Sequence, residues 1–211
     1  MNFVALQAMR GPHARRRLTE PTRAYKRALE HQQQLHEAFG PPGPSEKLES
    51  LRRFVEREQT TADHVDTLIG AATAILQPLA DRQWTLLRAG EGAHFITSDQ
   101  AVSLEWTDPA QSEGFFGPGF GLGGTEVSIP LSPDLLMFGR FEGVPPSGTT
   151  LPRVKVALSN RRVLLHAVRY AASKTEDLVF LRDSTEILGS ADLAALWRAN
   201  PISPEEDLDA E

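Results

Sequence analysis

The hydrophobic periodicity of this chain changes near residue 80, and that change limits the fold more than any other feature. Before it, Leu48, Leu51, Val55, Ala62, Val65, Ile69, Ala72, Leu76 and Leu79 step by threes and fours, skipping only Glu58, the spacing of one helix face. After it, Trp84, Leu86 and Arg88 alternate with Thr85, Leu87 and Ala89, the period of two that a strand imposes. Helices followed by strands make an α+β protein. The expected architecture is a helical part, residues 1–80, packed on a small, mainly antiparallel sheet in residues 81–200, with one or two C-terminal helices. Residues 201–211, which hold Glu205, Glu206, Asp207, Asp209 and Glu211, read as a disordered acidic tail.

In the helical part, Asn2 to Met9 is apolar around most of a helical circumference, as in a buried helix, and Gly11-Pro12 ends it. Pro21 to Phe39 reads as an amphipathic helix stopped by Gly40-Pro41-Pro42-Gly43-Pro44. His31 and His36 are five apart, so they do not stack on one face as a metal pair at i and i+4 does. The stripe over 48–79, with a break near Thr60 and Asp63, suits a packed helical hairpin or the seam of a homo-oligomer.

In the second part, Gly90-Glu91-Gly92 predicts a hairpin turn between Gln83–Ala89 and a strand over His94–Thr97, ended by Ser98 and Asp99. Further strands are expected at Ala101–Trp106, Glu126–Ile129, Leu135–Phe141, Val154–Leu158 and Leu178–Leu181. Asn160 reads as the N-cap of a helix over Val163–Ser173, and Ser190 or Asp192 as the cap of a last helix through Trp197. Residues 114–124 form a glycine-rich stretch. A strand rather than a helix follows it, which favours a flap closing on the sheet over a phosphate cradle. Pro130 and Pro133 confine their strand to an edge or an end.

The chain has no cysteine, which excludes disulfides, zinc–cysteine sites, iron–sulfur clusters and thiol nucleophiles. No apolar run approaches the roughly 18 residues of a membrane span, and the N-terminus lacks a secretory pattern, so a cytoplasmic protein is expected. The net charge of −6 is uneven. Residues 1–80 carry 11 basic and 9 acidic side chains, whereas the rest carries 11 and 19. Seven of the basic residues lie in the first 27 positions, a patch that suits either phosphate or a solvated helix face.

Gly-x-Ser-x-Gly, His-Glu-x-x-His, a Walker loop and an EF-hand loop are absent. The one site candidate is the strand end Thr97-Ser98-Asp99. Its bland reading is a turn that satisfies its own backbone. Its chemical reading takes Ser98 and Asp99 as catalytic, with Thr97, Ser132, Asn160, Arg10 and Arg169 binding substrate and no metal site assigned. Asp134 or His166 would then have to be brought close by folding. Two functions stay open. The first is a ligand-binding or interaction module. The alternative is a hydrolase or nucleic-acid-processing enzyme, as in host defence, centred on Ser98-Asp99. The sequence leaves cofactor and partners unknown, with a small-molecule or nucleic-acid ligand open and no membrane partner expected.

Four patterns resemble a bacterial domain-of-unknown-function family, number 4238. They are FVALQAMRGPHAR at 3–15, Trp84 leading to FITSDQAV at 95–102, IPLSP at 129–133, and LSNRRVLLHAVRYAAS at 158–173. The resemblance covers most of residues 3–182 and implies no activity. It departs at Gln100-Ala101, where the family usually has Pro after its Thr-Ser-Asp-Asn run. The family usually begins with a further segment of about a hundred residues, the scale of a small domain, which bears a His-x-x-Pro-x-x-x-Leu-like motif. The resemblance therefore implies the C-terminal portion of a longer protein.

Overall fold

A computed structural model describes residues 1–11, 14, 61–113, 117–182 and 186–199. The readings made above for Pro12, for 15–60, for residues 114–116 of the glycine-rich stretch and for the acidic tail lie outside them. In chain order the elements are α1 (Asn2–Arg10), α2 (Thr61–Ala80), β1 (Gln83–Ala89), β2 (Thr97–Ser98), β3 (Ser103–Trp106), a 3-10 turn (Pro109–Glu113), β4 (Thr125–Ser132), β5 (Leu135–Arg140), β6 (Thr150–Leu151), α3 (Arg153–His166), β7 (Ala171–Ala172), β8 (Val179–Leu181), β9 (Ile187–Gly189) and α4 (Ser190–Ala199). The protein is α+β, as expected. Among the described residues, no helix is long and apolar enough to cross a membrane.

Five strands form the central sheet in the order β3-β4-β5-β1-β6. All neighbours are antiparallel except β1 and β6. Alternation along each strand divides the residues between two faces. Val127 and Ile129 of β4 join Val4, Ala5 and Ala8 of α1 and Ala72 and Leu79 of α2 in one core. Leu87, Leu136 and Phe138 join Val156 and Ala157 of α3 and Val179 and Leu181 of β8 in another. The sheet is thus covered by α1 and α2 on one face and by α3 on the other. Only part of the 48–79 stripe is used in this way, since Val65 and Ile69 are exposed.

Trp84 locks the junction between α2 and the sheet. Its indole N–H donates to the Leu79 carbonyl at 2.8 Å, satisfying one of the free carbonyls at the helix end. Its ring lies over Gly139, directly opposite it on β5; a Cβ there would fall 2.7 Å from the ring. That contact explains why a glycine stands in the middle of a paired strand.

Several local expectations are corrected. His94–Ile96 is not a strand and forms no hairpin with β1, whose partners are β5 and β6. The Gly90-Glu91-Gly92 turn sends the chain off the sheet, and only Thr97–Ser98 is extended and paired, with β7. Val154–Leu158 is the start of α3, not a strand. Pro152 stands at its N-cap, and Val156, Ser159, Asn160 and Val163 are buried at helical spacing. The short run Val154-Lys155-Val156 imitates a period of two, and the tertiary contacts of the longer pattern win. Asn160 is accordingly inside the helix rather than its cap. The helix ends at His166, ahead of the expected Ser173. β4, β5, β8 and α4 form where the sequence placed them. Pro130 lies beyond the end of β3 and beside an irregularity in the β4–β5 pairing, the kind of strand-end position where proline is tolerated.

Candidate functional site

The segment His94–Gln100 is a junction. The Ile96 N–H donates to Asn160 Oδ1 at 3.1 Å. Asn160 Nδ2 donates to the carbonyls of His94 and Val179, each at 2.8 Å. Asn160 is fully buried, and these three bonds tie the loop, α3 and β8 together. The Asp99 carboxylate accepts the N–H groups of Val168 at 3.1 Å and Arg169 at 2.9 Å, just past the end of α3. Ser98 Oγ accepts the Gln100 N–H at 3.1 Å, the local turn that its residue type favours. The Phe95 N–H donates to the Pro133 carbonyl at 2.8 Å. Gly11 lies against the Gln100 side chain so closely that a Cβ would overlap it. The four patterns around 3–15, 95–102, 129–133 and 158–173 therefore converge on this one segment.

The sequence-predicted site residues are only partly gathered there. Thr97 is exposed beside Ser98, and the Arg169 backbone meets Asp99. Ser132 sits at the β4–β5 turn, its hydroxyl accepting the Asp134 N–H at 3.3 Å. Arg10 is exposed in the last turn of α1. Asp134 pairs with His94 Nδ1 at 2.9 Å, and His166 Nε2 lies 3.0 Å from Glu105 Oε1. Neither reaches Asp99 with a hydrogen bond. Among the described residues no group of three or more His, Asp or Glu side chains is placed to hold a metal ion.

A second constellation lies between the sheet and α3. Register puts Glu105, Glu126 and Arg140 side by side across β3, β4 and β5, so their side chains share the α3 face. The Glu126 side chain is only 5% exposed. Arg140 holds its Oε2, with Nε at 2.9 Å and Nη2 closer, and Arg162 from α3 holds its Oε1. A buried carboxylate is tolerable only when paired in this way. Arg140 also stands over the Phe138 ring at 5.1 Å. Burial pushes the Glu105 carboxyl upward, but the His166 hydrogen bond and the charges of Arg162, His166 and Arg161 outweigh it, and the carboxyl is held below its usual range.

These charges border a cleft of about 390 Å³. Leu87, Leu136, Phe138, Leu151 and Leu158 give it an apolar floor and wall, and Ser128 and Ser159 add hydroxyls. Arg140, Arg162, Lys155 and Glu126 supply its charges. Ser103, opposite Ser128, and Thr85, opposite Phe138, lie on the same sheet face with buried hydroxyls that have no partner among the described residues. An anchor on the opposite sheet face fixes the start of β4. Arg82, buried, donates to the carbonyls of Thr125 and Phe120 and to Thr125 Oγ1 at 2.7–2.8 Å, and stacks on Phe141 at 4.3 Å. Burial lowers its pKa from the usual value. It ties the end of the glycine-rich stretch to the first residue of β4.

The model of a family described as a protein of unknown function, DUF4238, matches residues 1–177. The chain belongs to the DUF4238 family. No curated protein and no solved structure matches it. In this DUF4238 protein the matched span runs from α1 through β7, so it contains the His94–Gln100 segment, its partners except Val179 of β8, and every residue lining the cleft, Leu87 to Arg162.

Sequence reading missed the cleft for a definable reason. Glu126 and Ser128 alternate with Val127 and Ile129, a pattern that normally puts the polar residues in water. The wall that covers them, the first half of α3, reads locally as a strand. The Glu126 carboxylate, near the start of a strand that carries Pro130, and the Arg161-Arg162 pair are the only sequence signals, and neither is specific.

Proposed function

We propose that this protein is a ligand-binding module whose site is the cleft between the sheet and α3. The observation that carries the reading is the cleft's composition: an apolar floor with a few fixed polar and charged groups at its margin, the pattern of small-molecule sites. Its 390 Å³ equals about a dozen water volumes, the scale of one metabolite rather than a polymer. The groups around it are pre-set, because Arg140 and Arg162 are held by Glu126 and the β4 end by Arg82. Pre-set donors lose little freedom on binding. The Ser98–Asp99 strand end supports this role indirectly. Its polar atoms hold the backbone after α3, which positions the helix that walls the cleft.

The test is a thermal-shift screen of a metabolite library, with each hit repeated on Lys155→Trp. Lys155 is exposed and borders the cleft, so the ring covers the opening without entering the core. A ligand at one hundred times its Kd stabilises by about 2.7 kcal/mol, which is roughly 5–10 °C for a chain of this size. The expected result is a hit whose shift disappears in Lys155→Trp. Hits that shift both proteins equally would place the ligand elsewhere.

A further inference from the structure

We infer that the cleft takes an amphipathic acid, a small molecule with an apolar body and one carboxylate or phosphate end; this rests on the ligand-binding reading above. Three observations meet in it. First, the charges bordering the cleft are three cations, Arg140, Arg162 and Lys155, against one anion, Glu126. The chain as a whole is −6, so the cleft is a positive spot on an acidic protein. Low-dielectric walls concentrate such a field.

Second, the arginines keep donors in reserve. A guanidinium has five N–H groups. Arg140 gives Nε and Nη2 to Glu126, and Arg162 gives Nη1. Their remaining N–H groups have no acceptor among the described residues, and both side chains border the cleft. The Glu126 carboxylate already demonstrates what these groups recognise, since each arginine binds one of its oxygens. An incoming acid meets the same two forks from the other side, with the Lys155 ammonium at the mouth and the Ser128 and Ser159 hydroxyls beside it.

Third, the rest of the cleft is apolar except for Thr107, whose hydroxyl donates to the Gly124 carbonyl. Leu87, Leu136, Phe138, Leu151 and Leu158 have nothing to offer a sugar or a second charge. A ligand that fills both parts has its anionic group at one end and hydrocarbon or an aromatic ring at the other. Glu126 is then the selector. It holds the arginines in place and also repels any anion that approaches, so its charge limits the affinity.

The test uses three matched probes, 3-phenylpropionate, 3-phenylpropyl phosphate and 3-phenylpropanol, titrated into the full chain with backbone amide shifts as the readout. Either or both acids are expected to shift the β4, β5 and α3 amides, with affinity falling as salt rises, and the alcohol to bind more weakly by about tenfold or more. The stronger acid identifies the head group. Lys155→Glu, an exposed position, is expected to weaken the acids about tenfold and leave the alcohol unchanged. Glu126→Gln is expected to tighten the acids. If that variant fails to fold, the Lys155→Glu comparison decides alone. Equal affinity for alcohol and acids at the cleft amides would overturn the anionic class and keep the ligand site. No cleft shifts with any probe, at concentrations where simple aromatic acids bind such pockets, would count against both.

Discussion

Asn160→Ala should be among the most damaging single substitutions in the described part of the chain. Asn160 has no accessible surface, and its amide makes three hydrogen bonds to groups distant in sequence. Truncation leaves the Ile96 N–H and the carbonyls of His94 and Val179 without that partner. Each lost bond is worth about 1 kcal/mol net, and a stranded buried group costs about 1–3 kcal/mol. Partial relaxation trims the sum, so about 3–5 kcal/mol is expected, a third or more of the stability of an ordinary domain. With a urea m-value near 2 kcal/mol/M, the midpoint should fall by about 1.5–2.5 M. Asn160→Asp keeps the acceptor for Ile96 but turns an oxygen toward two carbonyls, so it should cost at least as much and more as the pH rises. Hydrogen exchange should accelerate first at the Ile96 amide. A loss below about 1 kcal/mol in Asn160→Ala, with Ile96 still protected, would refute the cross-brace and return Asn160 to the pool of ligand-binding residues.

Other outcomes follow from the same geometry. Arg82→Met keeps the aliphatic stem and removes the donors to Thr125 and Phe120; it should cost about 2–4 kcal/mol and speed amide exchange over 119–125. Gly139→Ala places a methyl against the Trp84 ring, and overpacking of that kind costs about 1–3 kcal/mol, with a changed near-ultraviolet tryptophan signal. Glu105 has a folded pKa below its ordinary value of 4.5, so its contribution is present above that pH and is lost as the pH falls through the lowered folded value. Glu105→Gln should therefore flatten the acid limb of the stability profile below about pH 4.5, and an unchanged limb would remove Glu105 from it.

The gross fold was legible because it depends on patterns longer than ten residues. The change of period near residue 80, the β4 and β5 runs, and the capped α4 are all of that kind. Asp192 even completes its cap, accepting the Gly189 N–H at 3.0 Å. The errors fall where a short pattern fits two structures. Val154–Leu158 satisfies a strand over five residues and a helix only once Asn160 and Val163 are counted. Asn160 favours helix caps by residue type, but tertiary bonds to a loop and a strand hold it in the helix interior. The charge cluster was illegible for a further reason. Glu105, Glu126, Arg140 and Arg162 are far apart in the chain, and only strand register and helix packing bring them together. Asp99 stood out in sequence because three polar residues adjoin it. Its partners, two backbone N–H groups near residue 168, carry no sequence signal at all.

The central claim is that ligand binds in the cleft rather than at the Ser98–Asp99 strand end. Hydrogen–deuterium exchange with and without a screened hit tests it most directly, because the two places lie in different segments. The cleft site predicts new protection over 126–140 and the first turns of α3. Protection confined to 97–100 and 168–172 would contradict it and move the site to the strand end.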